Sequence, residues 1–360
     1  MKTNQVTKQR NITADFVKGV LILCVMYGHS VTMINGLRGV TWTNSPVNVF
    51  VSAFEMPLFI LISGFFLFFS LQRRSYKDVL IKRIVSIAIP LAVWEGVPAI
   101  YSFVITTINN GFSFVELLKI PYKCIFPGKL WFLAAYLICS IIVIIVEWVL
   151  SFIKSENKRE IFLGVTYILI LIAMNFINLQ VSNVQFLFVF FLIGFYISKY
   201  DLLNRKNTRI FLIVSSILFI LLYPFYNAEN SFYLLGTYLN PNHIKQLLPL
   251  FLHRFVLSIC GCIAIYFMSN LICQKKPDCK LVSSISNLGI KTMELYILSM
   301  YIEDLLIKLV GLVLDERIIN NITAPLVFGP IFLVVLTVIC LLLIKIINKS
   351  KILNRILFAK

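Results

Sequence analysis

Charge is what this sequence lacks most. Asp, Glu, Lys and Arg together make up 14% of its 360 residues, against about a quarter in an ordinary soluble domain. With 59% hydrophobic residues and a mean hydropathy of +0.89, the deficit excludes a soluble enzyme and predicts a polytopic membrane protein. Other shortages narrow the chemistry. The three histidines form no metal-type cluster with other ligands, and neither a Gly-rich phosphate loop nor a G-x-S-x-G elbow is present. The eight cysteines lack C-x2-C pairing; most lie in apolar runs and read as small buried hydrophobes. Cys273 and Cys279 flank a short basic loop placed in the cytoplasm, where no disulfide is expected. Repeats and low-complexity tracts are absent, and no soluble domain is expected at either end, so 1–360 reads as a single transmembrane domain.

What is present is a series of apolar runs near the length needed to cross a bilayer, about 20 residues. They predict an all-α bundle of about ten transmembrane helices: 14–34, 47–71, 79–105, 129–150, 161–179, 184–199, 210–226, 248–272, 290–314 and 325–347. The first is too long and too polar for a cleavable signal peptide. Lys and Arg in the connections set the orientation. One side collects 23 of the 33, including Lys2, Lys8, Arg10, Arg205 and Lys206, and the other only six (Arg38, Lys119, Lys123, Lys129, Lys245, Arg317). Both termini are therefore expected in the cytoplasm. The net charge of +17 follows from topology and lipid contact rather than from nucleic acid. Two longer outer loops, 106–128 and 227–247, carry aromatics (Phe112, Phe114, Tyr122, Phe126; Tyr233, Tyr238) and Pro241. These suit an interfacial belt or a stacking surface for a sugar; His243 reads as an ordinary loop residue.

Ionisable residues inside membrane helices are costly and mark functional candidates. The first run holds Asp15, Lys18 and His29. Lys18 and His29 are eleven residues apart, so they share a helix face at roughly 16 Å separation, with Asp15 one turn below Lys18. A neutral imidazole suits a general base, and Lys18 suits an anion at the inner surface. Alternatively, Lys18 snorkels to the headgroups and His29 pairs with a neighbouring helix. In the second run Glu55 precedes Pro57, and Ser63-Gly64 permits close helix approach. The cluster Arg73, Arg74, Lys77, Lys82 and Arg83 is either positive-inside charge or a phosphate site for a nucleotide cofactor. His253-Arg254 forms a second-rank site, with Arg254 a possible ion partner for Glu55.

The string Asp15-x-x-Lys18-Gly19…Gly28-His29-Ser30 resembles the first-helix signature of the acyltransferase type 3 family, integral-membrane O-acyltransferases whose hallmark is a basic residue, ten intervening residues and a His. The resemblance continues through Met56-Pro57-Leu58-Phe59…Ser63-Gly64-Phe65-Phe66, Lys82-Arg83…Ile89-Pro90…Trp94, Leu130-Trp131-Phe132-Leu133 and Leu288-Gly289…Tyr296-Ile297-Leu298. It departs at Glu55, where many members have His, at Ser86, where many have a second Arg, and at Ser299, where many have another His.

The resemblance implies transfer of an acetyl group from cytoplasmic acetyl-CoA, without a metal, to a sugar hydroxyl of a cell-surface polysaccharide or its lipid-linked precursor, in a bacterial cytoplasmic membrane. It implies His29 as base or acyl carrier, with Asp15 orienting Lys18. Lys18, Lys82 and Arg83 are then the acetyl-CoA contacts. Glu55, Ser63, Trp131, Arg254 and Tyr296 are the residues that bind substrate or support the site. The competing expectation is a transporter of glycan or acyl units that uses the same buried charges.

Overall fold

The computed structural model describes residues 11–40, 45–125, 128–176, 184–204, 208–226, 241–314 and 316–360. Lys2, Lys8, Arg10, Phe126, Arg205, Lys206, Tyr233 and Tyr238 lie outside them, as do the side chains of 241–247, with His243 and Lys245 among them. Among the described residues every regular element is helical. In chain order these are α1 (Ile12–Gly36), α2 (Pro46–Ser52), α3 (Glu55–Arg73), α4 (Tyr76–Asn110), α5 (Phe114–Ile125), α6 (Trp131–Leu150) and α7 (Glu156–Phe176). They continue as α8 (Val184–Lys199), α9 (Thr208–Leu222), α10 (Pro241–Lys275), α11 (Lys280–Ile290), α12 (Thr292–Gly311), α13 (Gly329–Ile347) and α14 (Lys351–Phe358).

Six stretches among the described residues are long and apolar enough to cross a membrane: α1, α2 with α3, α4, α6, Leu248–Lys275 of α10, and Ala324–Ile347. The other four expected spans are helices as well, but of a different kind. α8 and α9 have only 16 and 15 residues, α7 opens on Glu156, Lys158, Arg159 and Glu160, and α12 carries Glu294, Glu303, Asp304 and Lys308. The expected 47–71 helix is interrupted at 53–54, and 290–314 breaks at Lys291. Conversely, α4 runs unbroken for 35 residues through Pro90 and Pro98. Within the expected loop 106–128, α4 continues to Asn110 and Phe114–Ile125 folds back as α5 along α4, where Cys124 Sγ meets the Ala92 carbonyl.

Local chemistry fixes the helix ends. Asn11 accepts the Ala14 N–H at 2.9 Å to start α1, and Ser75 accepts the Asp78 N–H at 3.1 Å to start α4, as N-caps do. Gly111, at φ +83°, closes α4 in a backbone region that favours glycine.

Two helix crossings organise the bundle, α3 with α8 and α1 with α11. A Cβ on Gly64 would lie 2.0 Å from the Phe191 carbonyl oxygen, and one on Gly194 would lie 1.9 Å from that of Leu61. In the second crossing a Cβ on Gly19 would lie 2.0 Å from Ile285 O, and one on Gly289 1.7 Å from Asp15 O. Backbone thus rests on backbone, the way small residues bring membrane helices together. Packed against α3, α6 and α7, α8 is apolar on most sides, with Phe186, Phe188, Phe190, Phe191 and Phe195 buried. A helix of that pattern belongs in the middle of a bundle.

Candidate active site

The Gly19–Gly289 crossing sets what meets further along. From it α12 continues beside α1, and Glu303 arrives opposite His29. The oxygen Oε1 of Glu303 lies 3.3 Å from Nδ1 of His29, and the Glu303 side chain is only 3% exposed. Glu55, at the first position of α3, is in electrostatic reach of the same imidazole, as is Lys129. The break between α2 and α3 is what brings Glu55 to a helix start. Glu303 Oε2 and Glu55 Oε2 are buried and have no hydrogen-bond partner among the described residues. Asn48 of α2 donates to Thr32 Oγ1, and Thr32 in turn donates to the Gly28 carbonyl at 2.9 Å, which ties α2 to the turn of α1 that carries His29.

The entry to α6 is held against this cluster. Lys129 pairs with Asp304 and donates to the Met300 carbonyl at 3.1 Å, with its ammonium over the Tyr301 ring. Tyr296 donates to the Lys129 carbonyl at 3.1 Å, and Glu95 accepts the Leu130 N–H at 2.9 Å. Tyr296 therefore supports the backbone ahead of Trp131, whose ring packs edge-on to Phe132. Tyr301 also donates to the Trp94 carbonyl of α4 at 2.6 Å, and the Trp94 indole donates to the Leu357 carbonyl of α14 at 3.0 Å.

The remaining expected residues occupy other places. Lys18 pairs with Asp15 at 2.8 Å within α1. Lys82 and Arg83 line a cavity of about 300 Å³ between α3 and α4, together with Arg73, Arg74, Ser70 and Ser86. Four cations converge there, a setting suited to phosphate oxygens. Arg83 also donates to the Tyr136 hydroxyl. The Ser63 hydroxyl donates to the Phe59 carbonyl of its own helix at 2.8 Å. Arg254 is buried with its guanidinium over the Phe186 and Tyr226 rings, at 5.0 and 5.8 Å, rather than as an ion partner of Glu55. Its neighbour His253 meets the Leu222 carbonyl at 3.0 Å.

Sequence reasoning passed over Glu303, Asp304 and Glu95. The signal was there: each is a carboxylate in an apolar run, under the same energetic rule that singled out His29.

Stretches of the chain are similar to two proteins named nodulation protein NolL. The one from Sinorhizobium fredii is 35% identical over 85 residues, 24% of this chain and 23% of that protein. The one from Mesorhizobium japonicum is 30% identical over 88 residues, 24% of each chain. The matches span about a quarter of the length of these curated relatives, and no solved structure matches. The description of the acyltransferase domain, type 3, matches residues 11–345, nearly the whole chain. The chain belongs to the acyltransferase type 3 family.

Proposed function

We propose that the protein is a membrane O-acetyltransferase that moves an acetyl group from cytoplasmic acetyl-CoA to a sugar hydroxyl of a cell-surface polysaccharide or its lipid-linked precursor. The observation that carries this reading is the His29–Glu303 contact at 3.3 Å. With Nδ1 turned to a carboxylate, the imidazole keeps the Nε2 lone pair for a proton, the arrangement by which a carboxylate orients a histidine base. The acceptor hydroxyl gives its proton to Nε2, and its oxygen attacks the thioester carbonyl. The C–S bond breaks, an ester forms, and the CoA thiolate leaves with the proton from His29. If the same nitrogen instead carries the acetyl group first, labelled acetyl-CoA without acceptor leaves a hydroxylamine-sensitive acetyl-imidazole on the protein.

The buried oxygens of Glu303 and Glu55 that find no partner among the described residues support a hydroxyl-bearing acceptor, because a bound hydroxyl would satisfy them. The cavity with Arg73, Arg74, Lys82 and Arg83 supports an acyl donor with several phosphates. Lys18, oriented by Asp15, adds positive charge on the His29 helix. Tyr296 and Trp131 frame the entry to α6, and Ser63 and Arg254 belong to the supporting helices. In this reading the basic cavity faces the cytoplasm of a bacterial cell, both termini lie on that side, and the bundle is seated in the cytoplasmic membrane.

The deciding measurement is acetyl transfer from labelled acetyl-CoA to the surface glycan in membranes that carry wild type or His29→Ala at matched protein level. Wild-type transfer and loss of product in the variant are expected. Undiminished product from His29→Ala overturns the assignment.

A further inference from the structure

Between the α11–α12 break and the last turns of α13 lies a groove of about 450 Å³. Its α13 wall is formed by Val338, Leu341, Leu342, Lys345 and Asn348. That spacing repeats at three and four residues, so all five share one face of the helix. Val338 is 49% exposed and Leu342 55%, so in a bilayer this wall faces hydrocarbon. The other side is lined by Lys291, the single residue that separates α11 from α12.

Charge and length identify an occupant. Neither Lys291 nor Lys345 has an ion-pair partner among the described residues. α13 contains no acid, and Glu294, the acid nearest to Lys291 in sequence, is buried and pairs with Lys360. The break also starts α12, whose N-terminal dipole adds positive potential. Two uncompensated cations thus stand at one end of an apolar wall. From Val338 to Asn348 that wall runs for about 15 Å, half of the ~30 Å hydrocarbon core of a bilayer. A free phosphate or a nucleotide would leave the apolar length uncovered, and a lipid without net charge would leave the lysines uncompensated. An anionic phospholipid answers both, with its phosphate between Lys291 and Lys345 and an acyl chain along Leu341 and Val338.

We propose that this groove is a binding site for an anionic phospholipid. It shares no residue with the His29 dyad or with the four-cation cavity, and the proposal stands apart from the acyl-transfer reading. A headgroup held by both lysines ties α13 to the break from which α12 sets out towards Glu303.

The test uses the full chain in phosphatidylcholine nanodiscs that carry a trace of phosphatidylglycerol with a diazirine in one acyl chain. Adducts are mapped by mass spectrometry after photolysis. Label is expected on Val338, Leu341 or Leu342, roughly tenfold above that from a phosphatidylcholine probe with the same tail. Lys291→Gln combined with Lys345→Gln should abolish that preference. Lys275→Gln combined with Lys276→Gln, two cations at the end of α10, should leave it intact. If the first double variant melts early, Leu342→Trp, which fills the groove and keeps both cations, should cut the label roughly tenfold. Equal labelling by the two probes, or an undiminished preference without Lys291 and Lys345, would overturn the proposal. So would displacement of the probe by millimolar inorganic phosphate or acetyl-CoA, which would make the site one for a soluble anion. Photolabelling needs no turnover, so His29→Ala should label like wild type. A failure of the groove is thereby distinguished from a failure of the acyl-transfer reading.

Discussion

Glu303 meets His29 from the neighbouring helix, oxygen to Nδ1 at 3.3 Å, and the two lie equally far from a shared contact. Gly289 rests on the backbone of Asp15; Glu303 is fourteen residues beyond Gly289, and His29 is fourteen beyond Asp15. Along α1 this spacing puts His29 about 21 Å from the crossing, and the α11–α12 segment, broken once at Lys291, brings Glu303 to the same level. In the proposed reaction Glu303 is a positioning residue, since it touches the imidazole and not the reacting atoms.

Glu303→Gln should lower kcat for acetyl transfer by ~10- to 100-fold, a share of what a positioned general base contributes, while KM for acetyl-CoA stays within about twofold. Glu303→Asp should recover part of the rate. Steady-state kinetics on purified protein check this; an equal loss in both variants together with a lowered melting temperature would mean that Glu303 only holds the helices together.

Replacing Lys82 or Arg83 by Ala should raise KM for acetyl-CoA by roughly tenfold each, the scale of one charge-assisted hydrogen bond, with kcat changed less. The comparison that tests it is acetyl-CoA against its analogue without the 3′-phosphate. Wild type should discriminate between them, and a cavity unrelated to the donor would leave both KM values unmoved in the variants.

Gly289→Ala and Gly64→Ala should each destabilise the bundle by about 3 kcal/mol or more, at or above the usual range for overpacking. The clashing atom in both cases is a backbone oxygen that has no rotamer to move into. Gly164→Ala, where a Cβ meets nothing within 4 Å, is the control. Melting temperatures in detergent should fall for the first two and hold for the third.

At the far end of α6, Glu147 is buried and pairs with Arg159 at 2.7 Å. Arg159→Leu removes the hydrogen-bonded cation and leaves Lys199 as the other cation in reach, a loss of about 1.5–3 kcal/mol for a charge-assisted hydrogen bond. The double variant Glu147→Leu with Arg159→Leu should regain most of the stability. Thermal denaturation of the three variants and wild type forms the cycle; independent, additive losses would show that the pair is not coupled.

The sequence disclosed the helical class and the first helix of the site because a bilayer taxes every buried charge and every unsatisfied backbone group. Lys18 and His29 stand out in an otherwise apolar run, and their spacing alone puts them on one face. The same logic applied to 290–314 points to Glu303, but that run also holds Glu294, Asp304 and Lys308, and charges this numerous read as a helix end rather than as a site. The pairing of Glu303 with His29 depends on the α1–α11 crossing, and no local pattern encodes which glycine meets which. Arg254 was a natural ion partner for Glu55 by charge alone; the aromatic rings of Phe186 and Tyr226 that enclose it come from two other segments, beyond the reach of any window along the chain. The break at 53–54 was equally hidden, because the residues around it are as apolar as those of an unbroken span.

The glycine contact between α1 and α11 acts as a pivot with a long arm. A tilt of α1 by about 3° there, carried over the ~21 Å to His29, moves the imidazole about 1 Å relative to Glu303. That displacement would open the 3.3 Å contact beyond hydrogen-bonding range. The tolerance of the candidate site is therefore set at the other end of α1, and substitutions that touch neither substrate would be felt at the imidazole as errors of aim.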